Sequence, residues 1–200
     1  MKIEIRGDQV LLDGYINVVD RESRILPSPR GRFKEKIVPK TFQRALDKAD
    51  NVDLLFNHDK SRKLGSTSEG NIELYEDNIG LRGIATVSDG EVIQKAKSGE
   101  LRGWSFGFVS NKDRWEDGED GIQHRHVEDI DLLEVSILSK TPAYIATSIE
   151  SRGEESVITE QRNDDFKAEI VDLTKENKEE KREVDYSIHE KQIQTLKLRG

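Results

Sequence analysis

The sequence predicts an α+β domain that is mainly β, followed by a charged helical tail. Three observations predict it. Short segments in which apolar and polar residues alternate recur through the first 140 residues. Only two longer stretches there keep helical spacing. The composition then changes after Arg152-Gly153: residues 151–200 hold ten Lys/Arg and thirteen Asp/Glu.

Residues 1–20 predict two strands. Lys2 to Arg6 alternates, Gly7-Asp8 can turn, and Val10 to Val19 is β-rich with a break at Gly14. Residues 21–36 predict a loop, since Arg21, Arg24, Arg30, Arg32, Lys34 and Lys36 accompany Pro27, Pro29 and Gly31. A solvated loop and a basic flap over a groove for acidic partners are its two readings. A helix begins at Pro39, with Phe42, Ala45, Leu46 and Ala49 in period and Thr41 as its cap. Val52 to Phe56 is a short buried strand that runs into Asn57-His58-Asp59. Strands at Ile72–Tyr75 and Ile79–Val87 follow. A brief helix from Asp89 to Ser98 is closed by Gly99.

The next strand runs from about Arg102 to Trp115. It opens with Gly103-Trp104-Ser105-Phe106-Gly107-Phe108, where large and small residues alternate. Trp104, Phe106 and Phe108 share one face; Gly103, Ser105 and Gly107 share the other. The aromatic face suits a core. The opposite face offers one hydroxyl between residues without side chains, and glycine within a strand marks a bulge or a close approach. Asp117 to Gly121 is a strong turn signal. A return strand covers about Ile122 to Leu138, irregular near Glu128 to Asp131. Thr141-Pro142-Ala143 stops it.

The domain boundary is expected near residue 151: a domain at 1–151 and a tail at 152–200. In the tail, Phe166, Ile170 and Leu173 make one narrow apolar stripe at helical spacing, too little for a separate core. A charged fraction of 36% and a mean hydropathy of -0.74 agree that part of the chain is not packed.

Composition also excludes function classes. The net charge of -8 argues against a general nucleic-acid binder. With no cysteine there is no disulfide framework, thiol nucleophile or cysteine metal site. No cofactor or metal is expected. No apolar run approaches the roughly 20 residues that span a bilayer, and the amino terminus has a strand pattern rather than a signal peptide. A soluble, intracellular protein with no membrane partner is expected.

Ser105 becomes a candidate nucleophile if a base and an orienting group join it. Of the four histidines, His58 follows a buried strand, His124 and His126 flank Arg125 near a hairpin end where they are expected to face solvent, and His189 lies in the tail. A lone histidine is more often structural than catalytic. Hairpin geometry supplies the third member. A turn between Glu119 and Asp120 would place Glu134 opposite Ser105 on one face. Glu134 lies in the apolar run Leu132 to Leu138 and needs a charged or donor partner there. His58 would serve. A bulge would shift this register, so Asp131 and His126 stay open as alternatives. Ser136 shares the face of Glu134 as a supporting hydroxyl. The G-x-S-x-G match at Gly103–Gly107 is not a nucleophile elbow, because strand rather than helix follows it and the better histidine precedes the serine.

These residues carry a resemblance. The Gly14-Tyr15 strand, Phe33 through Phe42, Leu55-Phe56-Asn57-His58-Asp59, Gly103 to Phe108, and Leu133-Glu134-Val135-Ser136 ahead of Pro142-Ala143 resemble, in that order and at those intervals, the prohead (capsid maturation) proteases of tailed bacteriophages. The likeness spans about residues 10–150. It implies a fold similar to the herpesvirus assembly protease: a closed, mostly antiparallel β-barrel with flanking helices. It implies His58 as base, Ser105 as nucleophile and Glu134 as third member, although the viral relatives place a second histidine there. It also implies a serine endopeptidase that cleaves the major capsid protein, the scaffold segment and itself inside the immature capsid, in the host cytoplasm, with self-association left open. The tail would be a packaging extension, a segment removed by self-cleavage, or an end with no role. The rival reading is a capsid assembly factor that binds coat protein without cutting it.

Overall fold

Two long antiparallel strands form the spine of the molecule. In the computed structural model these are β9 (Gly103–Asp117) and β10 (Gln123–Leu138). The structure describes residues 1–28, 31–118, 121–139, 148–152, 155–160 and 168–175. In chain order, β1 (Lys2–Arg6), β2 (Gln9–Val18), β3 (Leu26–Ser28) and β4 (Gly31–Ile37) precede helix α1 (Thr41–Lys48). Then come β5 (Asp53–Phe56), β6 (Asp59–Ser66), β7 (Ile72–Glu76), β8 (Gly80–Val87) and helix α2 (Gly90–Lys97). After β9 and β10 follow β11 (Ser148–Arg152), β12 (Glu155–Glu160) and β13 (Glu169–Asp172).

One sheet has the order β13-β1-β2-β8-β7. The other has the order β11-β12-β9-β10-β4-β3, and β5 pairs with both β10 and β6. The protein is thus mainly β with two helices, as expected, but neither sheet closes into a barrel. Closure requires the first and last strands of a sheet to pair, and among the described residues no such pairing occurs. Nor is the pairing all antiparallel. β10 runs parallel to β4 along Gln123–Val127 and parallel to β5 along Glu134–Ile137. β13 runs parallel to β1. Helix α1 lies where β4 has ended and β5 has not begun: Thr41 Oγ1 donates to Glu128 O at 3.1 Å, and Lys48 reaches Asp129 at 3.0 Å.

Buried residues of both sheets and both helices make one core. Trp104, Phe106 and Phe108 lie in it with Ile3, Leu12, Phe42 and Val135. The alternation that opens β9 therefore points as expected. Phe106 stacks on Phe108 at 5.3 Å between ring centroids and meets Phe42 edge-on.

Three expectations are corrected. Residues 21–36 contain β3 and most of β4. Phe33, Glu35 and Ile37 alternate inward, and Glu35 survives burial because Arg125 Nη1 donates to it at 2.6 Å. Thr41 does not cap α1: Lys40 holds the N-cap position at φ 71° without a side-chain cap, and the Glu76 carboxylate accepts from Lys40 N at 2.5 Å and Gln43 N at 2.9 Å. Where the tail is described it is mostly strand rather than helix: β12 and β13 pair with β9 and β1, and Leu173–Lys175 forms a single 3-10 turn. Ile170, part of the supposed helical stripe, lies in β13; Phe166 and the residues beyond 175 lie outside the described residues.

Candidate active site

His58 is placed by a tight turn. Phe56 pairs with Asp59, so only Asn57 and His58 connect β5 to β6. Both are left-handed, at φ 54° and 59°. Two consecutive residues of this kind fit the twist of a two-residue hairpin, and Asn and His tolerate the conformation better than most. Asn57 locks the turn to the end of β10. Its N–H donates to Ile137 O at 2.9 Å, its Nδ2 donates to Ser139 Oγ at 3.1 Å, and its Oδ1 accepts from Ser139 N at 2.9 Å.

Glu134 is placed by a bulge. The β9–β10 register slips between Leu132 and Glu134, which leaves Leu133 as an extra, 40% exposed residue. Leu132 and Val135 both keep to the core, while Glu134 and Ser136 share the opposite face. Glu134 lies across from Gly107, and Ser136 across from Ser105. A Cβ on Gly107 would stand 2.5 Å from Glu134 Oε1, so the absent side chain is the space the carboxylate fills.

Three groups then converge. His58 Nδ1 is 2.7 Å from Glu134 Oε1. Ser136 Oγ donates to Glu134 Oε2 at 2.6 Å and accepts His58 N–H at 3.2 Å. An ionised carboxylate can only accept, so toward such a partner Nδ1 is the donor, and in that tautomer of the neutral ring the lone pair is on Nε2. Nε2 is buried, with no hydrogen-bond partner among the described residues. Ser105 is fully buried beside this group as the cross-strand neighbour of Ser136, on the same face.

The hairpin arithmetic placed Ser105 opposite Glu134, but the structure places it opposite Ser136. Asp117 pairs with Gln123 and Gly118 N donates to Ile122 O, which moves the register by one. The bulge at Leu133 moves it by one more. Two shifts restore the face, because side chains alternate with period two.

The alternatives lie elsewhere. Asp131 meets Lys48 at 3.4 Å, and His126 meets Glu116 at 3.1 Å near the loop end of the hairpin. Burial first, then the Arg114 charge, holds the His126 imidazole below its ordinary pKa. His124 and His126 alternate with the buried Arg125 and Val127 and so lie on the outer face, but they are partly covered there, with side chains 23% and 12% exposed. His189 and the Thr141–Ala143 stop lie outside the described residues. The Arg21–Lys36 segment, one reading of which is a flap over a groove, includes β4, whose pairing with β10 ends at Val127, roughly 23 Å along the strand from Glu134. Sequence reasoning missed the clamp between Asn57 and Ser139. The signal was an Asn-His pair between Phe56 and Asp59, which is hairpin-turn chemistry.

No curated protein and no solved structure matches this chain. The family model described as caudovirus prohead serine protease matches residues 1–162, and with that share of the 200 residues covered the chain belongs to the prohead serine protease family.

Proposed function

We propose that this member of a phage maturation protease family cuts capsid protein, scaffold segment and itself through Ser105, His58 and Glu134. The family makes it a serine peptidase acting on capsid protein in the immature head; the residues and chemistry that follow are the proposal. The supporting observation is the bond from His58 Nδ1 to Glu134 Oε1, which leaves Nε2 as the basic nitrogen on the face that carries Ser105.

His58 Nε2 takes the Ser105 hydroxyl proton as Oγ bonds to a peptide carbonyl carbon. The C–N bond then breaks, and the proton passes to the departing amine. Water next attacks the acyl-enzyme, giving a proton to the same nitrogen; the bond from Ser105 Oγ to the acyl carbon breaks, Oγ takes that proton back, and the acid product leaves. Glu134 holds the tautomer and stabilises the imidazolium without itself becoming protonated. Ser136 fixes the unused carboxylate oxygen and the His58 main chain together. Residues 1–151 are taken as the protease domain and 152–200 as its appendage.

Co-expression with the capsid protein tests this reading. Ser105→Ala should leave the capsid protein and the protease full-length, since loss of a triad serine costs on the order of a millionfold in turnover. Normal processing by that variant would dismiss the assignment, and absence of processing with the unaltered chain as well would favour a binding role in assembly.

A further inference from the structure

Strand β9 has two edges. Its inner edge is taken along its length by β10. Its outer edge is therefore where an extended peptide can pair with the strand that carries Ser105. Such pairing uses main-chain hydrogen bonds and tolerates varied side chains. A segment of this chain already pairs there. β12 runs antiparallel to β9, with Val157 opposite Val109, Ile158 opposite Phe108, Thr159 opposite Gly107 and Glu160 opposite Phe106. The register is unbroken and ends one residue short of Ser105.

We infer that the outer edge of β9 at Phe106–Val109 is the track for an extended substrate peptide, that the track holds residues on the acyl side of the cut bond, and that the chain's own β12 competes for it. The inference rests on Ser105 being the nucleophile. Polarity carries its second part. Along β12 the chain advances from Val109 toward Phe106, so its carboxyl-terminal end approaches Ser105. A substrate in this direction delivers a carbonyl to Oγ after its preceding residues have filled the track. Those residues stay on the enzyme as the acyl group, and the amine side departs beyond the track. β12 can yield the track, because it pairs with β9 only over Phe106–Val109 and its other partner is β11.

Two probes on the full chain test this. One is a small alkyl fluorophosphonate, too short to reach along the track. The other is a peptidyl diphenyl phosphonate carrying the β12 sequence, acetyl-Glu-Ser-Val-Ile-Thr-Glu, ahead of the phosphorus. Each forms a Ser105 Oγ–P bond, loses fluoride or phenoxide, and passes the hydroxyl proton to His58. In a variant carrying Val157→Pro and Ile158→Pro, β12 loses donors and cannot pair. That variant should react with the peptidyl probe about tenfold faster than the unaltered chain, the ratio for a track otherwise open one-tenth of the time. Its rate with the small probe should not change. Equal peptidyl rates alongside normal small-probe labelling would overturn the track and leave the protease standing. No labelling of either chain by either probe would remove the nucleophile and the track with it. Amide exchange supplies a second readout. The amides of Phe106–Val109 that point to the outer edge should be protected in the unaltered chain, exposed in the variant and protected again by the acetylated hexapeptide, while unchanged β10 amides report that the variant is folded. Equal protection in both chains would exclude β12 as the occupant.

Discussion

Gly107 shows how little room the site leaves at the level of single residues. A methyl group there would meet Glu134 Oε1 at 2.5 Å and Cγ at 3.2 Å. The Glu134 side chain could swing aside, so Gly107→Ala should fold, but His58 would lose its orienting partner. A drop in kcat on the order of 100-fold is expected, the penalty for misplacing a catalytic group by about 1 Å. Peptide turnover and the melting temperature, measured together, separate this from simple unfolding. Glu134→Gln keeps the shape of the side chain and removes its charge. If Glu134 acts as a triad acid, kcat should fall roughly 10⁴-fold; an unchanged rate would remove Glu134 from the catalytic group. The identities of Ser105, His58 and Glu134 could be proposed from residue type and order. Their cross-strand register could not, because it depends on an extra residue at Leu133 that resembles any other apolar residue of its run.

Among the elements, the β9–β10 hairpin was the most legible. Its alternation and its Asp-Gly turn signals are local, and local patterns are what a sequence displays. Strand β4 was hidden for the converse reason. Glu35 points inward to Arg125 and breaks the apolar alternation that would have marked Phe33 and Ile37. The β10–β5 pairing was equally invisible, since parallel partners far apart in the chain leave no short-range signature. Helix α2 has the local cap that α1 lacks. Asp89 Oδ1 accepts from Glu91 N and Val92 N, each at 3.0 Å. Asp89→Ala should therefore cost about 1 kcal/mol of stability, read as a lower denaturant midpoint with an unchanged slope. Peptidase activity should persist, because α2 packs on β1, β2 and β13 rather than on the site.

On the scale of the whole molecule, one core joins both sheets, and Phe106 is fully buried in it between Phe42 and Phe108. Phe106→Ala should destabilise the fold by about 3–5 kcal/mol, seen as a large fall in melting temperature. Low pH attacks a different contact. Arg82 grips Asp13 with two hydrogen bonds of 2.8 Å, joining β2 to β8. That hydrogen bonding, with the Arg82 charge, holds the Asp13 carboxyl below its ordinary 3.8. The folded state therefore binds the proton less readily than the unfolded chain. The stabilisation is complete above about pH 4 and is lost as pH falls through the lowered value. Asp13→Asn should flatten stability against pH in that acid range and leave it unchanged in shape near neutrality.

His58 and Glu134 lie 76 positions apart, and the strand that brings them together is the later one. β4 and β5 both wait for β10 to arrive. Until the ribosome has passed β9 and made β10, the imidazole has no carboxylate and Ser105 lacks its neighbour Ser136. Synthesis itself thus delays the onset of cutting: nascent chains stalled before residue 123 should be inert toward a serine-directed probe, and labelling should begin only once the codons of β10 have been read.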